Sequence, residues 1–374
     1  MKKTKIAHIA NSVGGVNMWL RINIGTLDPK KTESFLIRGL EGSVDPILNR
    51  NGKQIKSYTV PIQREISIIK DFKAIRETIK ILKKERPDVI HAHSAKGGII
   101  ARAASLFYKV NVLYTPHAFS FLSAETSLKR TVFIAIERVF KHFNSILLAC
   151  SVSERNQGLL NLGYKKSRAI VMNNCVRPIT ISEVKEPKQF TNKPYICTVG
   201  RPSYQKNIEM LLAVVKVLKV KQPDIHLVVL GVGEYSPNKE AVETIIKNDD
   251  LSNNITLIPW IERESIFGFI KNAALYVSAS RYEGLPYSVI EAMALKKACV
   301  VTDADGNRDL VKDGYNGYVV PQDGVEVMAN RIFALLSDDE KRVKMEQHAL
   351  LRFNTDFNIE NNIEKLEAIY KKYS

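Results

Sequence analysis

Short apolar, β-branched runs alternate with helix-period segments along the whole chain. That alternation restricts the fold to parallel sheets covered by helices. The runs fall at residues 6–10, 34–40, 55–60, 88–93, 112–117, 145–150 and 169–172, and again at 195–200, 226–231, 255–259, 274–279, 298–303 and 317–320. Between the two sets lie residues 177–194, with Pro178, Pro187 and Pro194, many polar residues and no periodicity. Such a stretch predicts a linker. The expected architecture is α/β, with Rossmann-like domains over 1–176 and 195–355. A closing helical segment at 356–374 is expected to pack back on the first domain.

At 374 residues, 45% hydrophobic and 25% charged, the composition is that of a globular protein and excludes disordered and fibrous classes. Cys150, Cys175, Cys197 and Cys299 are scattered without a CxxC or a zinc spacing, and read as buried thiols of a reduced, cytoplasmic protein. No apolar run approaches the roughly 18 residues of a membrane helix, and the start lacks the apolar core of a signal peptide. The net charge of +16 is unevenly placed: residues 1–190 hold 32 basic and 14 acidic side chains (+18), and the remainder 23 and 25 (−2). The first half therefore calls for an anionic partner: a membrane surface, an anionic lipid substrate or nucleic acid.

Three segments carry chemistry. Gly14 and Gly15 follow the first strand, where a doubly wound sheet turns a phosphate onto a helix N-terminus, although the full GxGxxG pattern is absent. Gly200 ends a strand, and Arg201 and Lys206 follow on its loop, suiting a diphosphate whose charge grows as a bond breaks. In residues 279–294, Glu283 and Gly284 turn after a strand and Pro286 sits in the first turn of a helix. The N–H groups of Leu285, Tyr287 and Ser288 then face a phosphate position. Glu291 lies about five residues further in, roughly 7.5 Å along the axis. Two carboxylates so spaced suit the paired hydroxyls of sugars on either side of a diphosphate.

These residues resemble the E-x7-E motif of the retaining glycosyltransferases of family 4, which have the GT-B fold of two Rossmann-like domains facing each other across a cleft. The likeness covers nearly the whole chain. Gly14–Gly15 is similar to the family's glycine loop, Thr115-Pro116-His117 to its mid-domain histidine, and Gly200-Arg201 with Lys206 to its VGR…K segment. Residues 313–317 resemble its late DG-x-NG turn.

The resemblance implies roles. Arg201 and Lys206 clamp the diphosphate, Glu291 holds the ribose, and Glu283 holds donor-sugar hydroxyls. Gly15 approaches the distal phosphate, and His117 lies near the donor sugar and the acceptor. The base sits by Gly231, Gly233, Trp260 and Ile261. It implies a nucleotide-sugar donor, by family frequency a UDP-sugar, and a lipid-linked glycan acceptor of a bacterial surface polysaccharide. No metal and no other cofactor is expected; Asp303 and Asp305 are read as a variable loop. With the basic first half, it implies a protein peripheral on the inner face of the cytoplasmic membrane.

The alternatives are a GT-B sugar-nucleotide epimerase and, on charge alone, a nucleic-acid-binding module. The first half lacks the clustered aromatics of a stacking platform, so nucleic acid is not an expected partner. His91 and His93 share one strand face as packing or hydrogen-bonding residues, and His8 is a core or cleft residue. Ile68, Phe72, Ile75, Ile79 and Leu82 read as the core face of one helix, and the apolar positions of residues 128–143 as that of another. Basic residues line the far side of each. Phe119, Phe121 and Leu122 form an aromatic loop after His117.

Overall fold

The computed structural model describes residues 2–42, 45–63, 67–180, 194–233 and 236–374. Within the expected linker, residues 181–193 lie outside the described residues. The chain divides into two compact units, Met1–Arg177 with Asn358–Ser374, and Pro178–Phe357.

In the first unit, β1 (Thr4–Ser12), β2 (Thr32–Gly42), β3 (Lys56–Thr59), β4 (Val89–His93), β5 (Val112–Thr115), β6 (Ser145–Ala149) and β7 (Ala169–Val171) form one sheet in the order β3-β2-β1-β4-β5-β6-β7. Every pairing is parallel. Such strands are covered on both faces, so β4, β5 and β6 are buried at every position. The helices are α1 (Gly14–Ile24), α2 (Ile68–Glu85), α3 (Ser94–Ala104), α4 (Ser127–Phe140) and α5 (Val152–Leu160). α3 packs against β1 and against both α2 and α4. The approach is close: a Cβ on Gly97 would lie 2.7 Å from the Ile9 carbonyl oxygen.

The second unit places β8 (Ile196–Val199), β9 (Leu227–Leu230), β10 (Ile255–Ile258), β11 (Leu275–Ser278), β12 (Cys299–Thr302) and β13 (Gly317–Val320) in the parallel order β10-β9-β8-β11-β12-β13. Its helices are α6 (Ile208–Lys221), α7 (Lys239–Asn248), α8 (Arg263–Asn272), α9 (Tyr287–Ala294), α10 (Asn307–Leu310), α11 (Val325–Ser337) and α12 (Asp339–Arg352). The chain then returns to the first unit as α13 (Ile359–Tyr373), which packs on α1 and β1. There Glu367 accepts the Asp28 N–H at 2.8 Å and pairs with Lys31 at 2.8 Å.

Two expectations about burial hold only in part. The N-terminal part of α2 and the start of α4 are not core, since Ile68 is 84% exposed, Phe72 69% and Leu128 74%, while Phe133 and Ile134 of α4 pack against the core. The rest of the expected α2 face does reach the core: Leu82 is fully buried and Ile75 and Ile79 pack against the core, with Ala74 and Thr78 buried beside them. α4 buries only Glu137 fully. That carboxylate pairs with buried Arg102 at 2.9 Å and accepts the Tyr114 hydroxyl at 2.8 Å. A polar anchor therefore holds α4 down beside the apolar contacts of Phe133 and Ile134. Phe119 and Phe121 are fully buried and stacked on one another, so the two rings of that loop offer no surface. The four cysteines are buried free thiols.

Candidate active site

Each parallel sheet collects its loops at the carboxyl ends of its strands, and helix N-termini open at the same edge. In the second unit, Arg201 and Lys206 follow β8, Gly231 and Gly233 follow β9, and Ile261 follows β10. Glu283, Leu285, Tyr287 and Ser288 follow or lie just beyond β11. The fold thus brings together residues spread over about a hundred positions.

Lys206 is held from two sides. Its alkyl stem lies over Gly200, where a Cβ would come within 3.0 Å of it. Its ammonium donates to Glu283 Oε1 at 2.7 Å. The other carboxylate oxygen accepts from Gln205 Nε2 at 3.1 Å, and the Gln205 amide also reaches the Tyr282 carbonyl at 3.2 Å. Glu283 is thereby fixed and nearly buried, whereas Arg201 is exposed.

Gly306, at the N-cap of α10, has φ +80°, and a Cβ there would meet the Gly284 oxygen at 2.9 Å and Glu283 Cβ at 3.0 Å. Only glycine suits both that backbone and that approach. Gly306 backs the Glu283 turn, and the run of Asp303, Asp305 and Gly306 gave its one sequence signal. Asp303 pairs with Arg308 at 2.6 Å, and Asp305 pairs with the same guanidinium.

α9 starts at Tyr287, with Pro286 at the N-cap rather than inside the first turn, and no side chain caps the helix. Tyr276 ties this end to β8: its buried hydroxyl accepts the Val199 N–H at 3.2 Å and is hydrogen-bonded to Ser288. Glu291 is buried in α9 and pairs with Arg263, the first residue of α8. Burial lowers the Arg263 guanidinium to about 10. Gln205 and Arg263 lie 78 and 28 residues from the carboxylates they hold, so no local motif could reveal them. Gly231, at φ +95°, lies against the Gly200–Arg201 backbone, and nothing among the described residues lies within 4 Å of where a Cβ on Gly233 would be. Ile261 is half-buried beside an exposed Trp260.

In the first unit, Gly14 and Gly15 begin α1 and are exposed; Gly14 has φ +52°, and no side chain caps the helix. His117 follows β5, with φ +54°, and Ala118 after it has φ +77°. Two consecutive non-glycine residues in the left-handed region need an anchor. Buried Glu154 supplies it, accepting the Ala118 N–H at 2.8 Å and the Cys150 N–H at 2.7 Å. Behind His117 stand His8, His91 and His93, fully buried, with Trp19 packed 4.6 Å from the His91 ring and 4.5 Å from the His93 ring. Ring nitrogens of His8, His91 and His93 lie within 4.8 Å of one another, as metal ligands could. Both nitrogens of His91 are taken, by the Tyr370 hydroxyl at 2.7 Å and Thr115 Oγ1 at 2.9 Å, so a hydrogen-bonded network fits this cluster better than a metal centre.

The architecture has solved counterparts. An Anabaena protein, Alr3699/HepE, whose structure was determined in complex with UDP and glucose, superposes with a TM-score of 0.82 at 16% identity over 99% of this chain and all of that one. Tandem doubly wound sheets of this kind are the GT-B architecture of glycosyltransferases. The "Glycosyltransferase Family 4" profile matches residues 34–178, and the "Glycosyl transferases group 1" profile matches residues 181–352. The chain belongs to the GT-B glycosyltransferases of the family 4 type.

Among its relatives is the UDP-Gal:alpha-D-GlcNAc-diphosphoundecaprenol alpha-1,3-galactosyltransferase of Escherichia coli, 26% identical over 98% of this chain and 97% of that one. Another is the capsular polysaccharide biosynthesis glycosyltransferase CapM of Staphylococcus aureus, 23% identical over 87% and 89%.

Proposed function

We propose that the protein transfers a sugar from a nucleotide-sugar, a UDP-sugar in the first place, to a lipid-linked glycan acceptor in the synthesis of a bacterial surface polysaccharide, with retention at the anomeric carbon. The observation that carries this reading is the set at the carboxyl edge of the second sheet: the Lys206–Glu283 pair, Arg201, the uncapped start of α9, and Glu291. Arg201, Lys206 and the N–H groups of Leu285, Tyr287 and Ser288 take the diphosphate, stabilising the charge that appears as the glycosidic bond breaks. Glu291 takes the ribose hydroxyls in exchange for Arg263, and Gly231, Gly233 and Ile261 flank the base. Glu283 takes donor-sugar hydroxyls. Its carboxylate is committed to Lys206 and Gln205, which suits that role better than nucleophilic attack. Retention then follows from front-face attack, with the leaving diphosphate helping to take the acceptor proton. By the family resemblance, Gly14 and Gly15 are assigned to the distal phosphate and His117 to the sugar. The reading requires no metal ion.

The test is a panel of nucleotide-sugars scored for thermal stabilisation and nucleotide release, with the product anomer read by NMR. Stabilisation by one nucleotide series, lost in Glu291→Ala, supports the reading. No stabilisation by any of them, or an inverted product, overturns it.

The acceptor side of the proposal includes docking on an anionic bilayer from the cytoplasmic face, without insertion; no helix among the described residues is long and apolar enough to cross a membrane. α2 exposes Ile68, Ile69 and Phe72 beside Lys70 and Lys73, and α4 exposes Leu128, Val132 and Val139 beside Lys129, Arg130 and Arg138. Apolar residues rimmed by cations suit the headgroup interface of an anionic bilayer, each cation contributing about 1 kcal/mol. Co-sedimentation with anionic vesicles should be strong at low salt and weak at about 0.5 M. Phe72→Ser should reduce it as much as Lys70→Glu. Equal binding to neutral vesicles would show that the charge serves something else.

A further inference from the structure

Four of the seven histidines meet on one face of the first sheet, brought there by the strand order. His8 on β1 is in register with His91 on β4, and His93 with Thr115 on β5, so a sequence separation of 85 residues becomes one contact. Three rings form a chain. Ser34 Oγ lies 3.3 Å from His8 Nε2, His8 Nδ1 lies 3.3 Å from His93 Nε2, and His93 Nδ1 lies 3.2 Å from His117 Nε2. His117 Nδ1, the outermost ring atom, has no hydrogen-bond partner among the described residues. Ser34 is half-buried and lines a surface cleft of about 460 Å³ together with Glu33, Lys56 and Glu85. The chain thus runs from a solvent cleft to the carboxyl edge of the sheet.

The protonation of His91 is settled by its partners. Thr115 Oγ1 gives its proton to the Leu148 carbonyl at 2.7 Å, so it can only accept from His91 Nε2–H, and His91 Nδ1 accepts the Tyr370 hydroxyl proton. His91 is locked. The other three rings are not, because the Ser34 hydroxyl can give or accept. A neutral imidazole carries one N–H, so each ring must donate on one side and accept on the other. Only two proton orders satisfy both ring–ring bonds. In one, every N–H points toward Ser34 and His117 Nδ1 is a bare acceptor. In the other, every N–H points away from Ser34 and His117 Nδ1 is a donor.

Charging any ring is disfavoured. Among the described residues, the side chains seen to contact the cluster are Trp19 from α1, Tyr370 from α13, Ser34 from β2 and Thr115 from β5, none of them anionic. Burial pushes the imidazolium of His8 and of His117 down to about 3, and those of His91 and His93 well below the usual range. His117 acting alone would therefore be a poor base at neutral pH.

We propose that His93, His8 and Ser34 are positioning residues for His117, forming a tautomer relay that switches its Nδ1 between hydrogen-bond acceptor and donor without charging any ring. The proposal rests on the reading that His117 faces the transferring sugar. In the forward shift a hydroxyl O–H of the substrate breaks and His117 Nδ1–H forms. His117 Nε2–H passes to His93 Nδ1, His93 Nε2–H to His8 Nδ1, and His8 Nε2–H to Ser34 Oγ, whose own proton leaves to water in the cleft. The reverse shift takes a proton from that water and returns one from Nδ1 to a departing phosphate oxygen.

The decisive experiment uses the full chain with ¹⁵N-labelled histidine rings and the mild Ser34→Ala change. A buried N–H left without a partner is costly, so His8 should lose its Nε2 proton and the whole chain should settle in one order. His117, three hydrogen bonds away, should then read as the Nδ1–H tautomer, whereas Ser34→Thr should keep the wild-type spectrum. A His117 that reads as the Nε2–H tautomer in Ser34→Ala overturns the relay.

Transfer assays give a second readout. His93→Phe and His8→Phe should each lower kcat about 10²-fold with donor KM unchanged. His93→Gln, which can bond His117 but cannot pass a proton, should not restore it. Wild-type transfer in folded His8→Phe or His93→Gln overturns the proposal. If no nucleotide-sugar binds or turns over, the functional reading fails instead, and the ring spectra still decide the relay.

Discussion

Replacing Lys206 separates the catalytic from the structural consequences of one ion pair. Its ammonium sits 2.7 Å from Glu283 Oε1, on a stem resting against Gly200. Lys206→Ala removes the charge and the stem; Lys206→Met keeps the stem alone. If the ammonium stabilises the leaving diphosphate, both should lose about 10²–10³ in kcat, or about 2.7–4 kcal/mol of transition-state stabilisation. The structural cost should be smaller. Lys206 is about a quarter exposed, and Glu283 keeps its bond from Gln205 at 3.1 Å. Leaving one carboxylate oxygen short of a partner costs about 1–3 kcal/mol, and each kcal/mol lowers the melting point of a unit this size by about 2–4 °C. The assay is nucleotide release and sugar transfer at saturating donor, with melting curves recorded on the same preparations. Lys206→Arg keeps the charge in a different shape and should recover part of the rate. Near-normal turnover in Lys206→Ala, with folding intact, would refute the assignment.

The two glutamates should fail differently: Glu291→Ala should weaken nucleotide affinity about tenfold or more, while Glu283→Ala should lower turnover more than nucleotide affinity. Calorimetry with UDP decides this, and unchanged affinity in Glu291→Ala sinks the ribose role. Gly306→Ala should lower kcat about tenfold or more, because a Cβ 2.9 Å from the Gly284 oxygen displaces the Glu283 turn; wild-type kinetics would mean that the turn can give way. Arg102→Met leaves the buried Glu137 carboxylate unpaired beneath α4 and should cost about 3–5 kcal/mol in urea unfolding without altering nucleotide affinity. A loss below about 1 kcal/mol would show that the pair anchors little.

Local order was legible in the sequence because it depends on neighbours a few residues apart. The strand and helix periods set two parallel sheets, and the spacing of Glu283, Pro286 and Glu291 set a strand–turn–helix with carboxylates at and within the helix start. Gly14 and the Arg201–Lys206 loop could be placed at strand ends for the same reason, since sheet topology puts every such loop at one edge.

What joins residues far apart in the chain was decided by tertiary packing. Gln205 and Lys206 meet Glu283, and Gly306 backs its turn, only because β8, β11 and β12 are neighbours in the sheet; Arg263 meets Glu291 because α8 packs against α9. His8, His93 and His117 become one hydrogen-bonded chain only through the order β1-β4-β5. The faces of α2 and α4 could not be settled by periodicity. An amphipathic pattern states that a stripe of apolar residues exists, but its burial depends on what the sheet and α3 leave uncovered. Here a buried arginine–glutamate pair fixes α4 together with Phe133 and Ile134, and Leu128, Val132 and Val139 are left facing out.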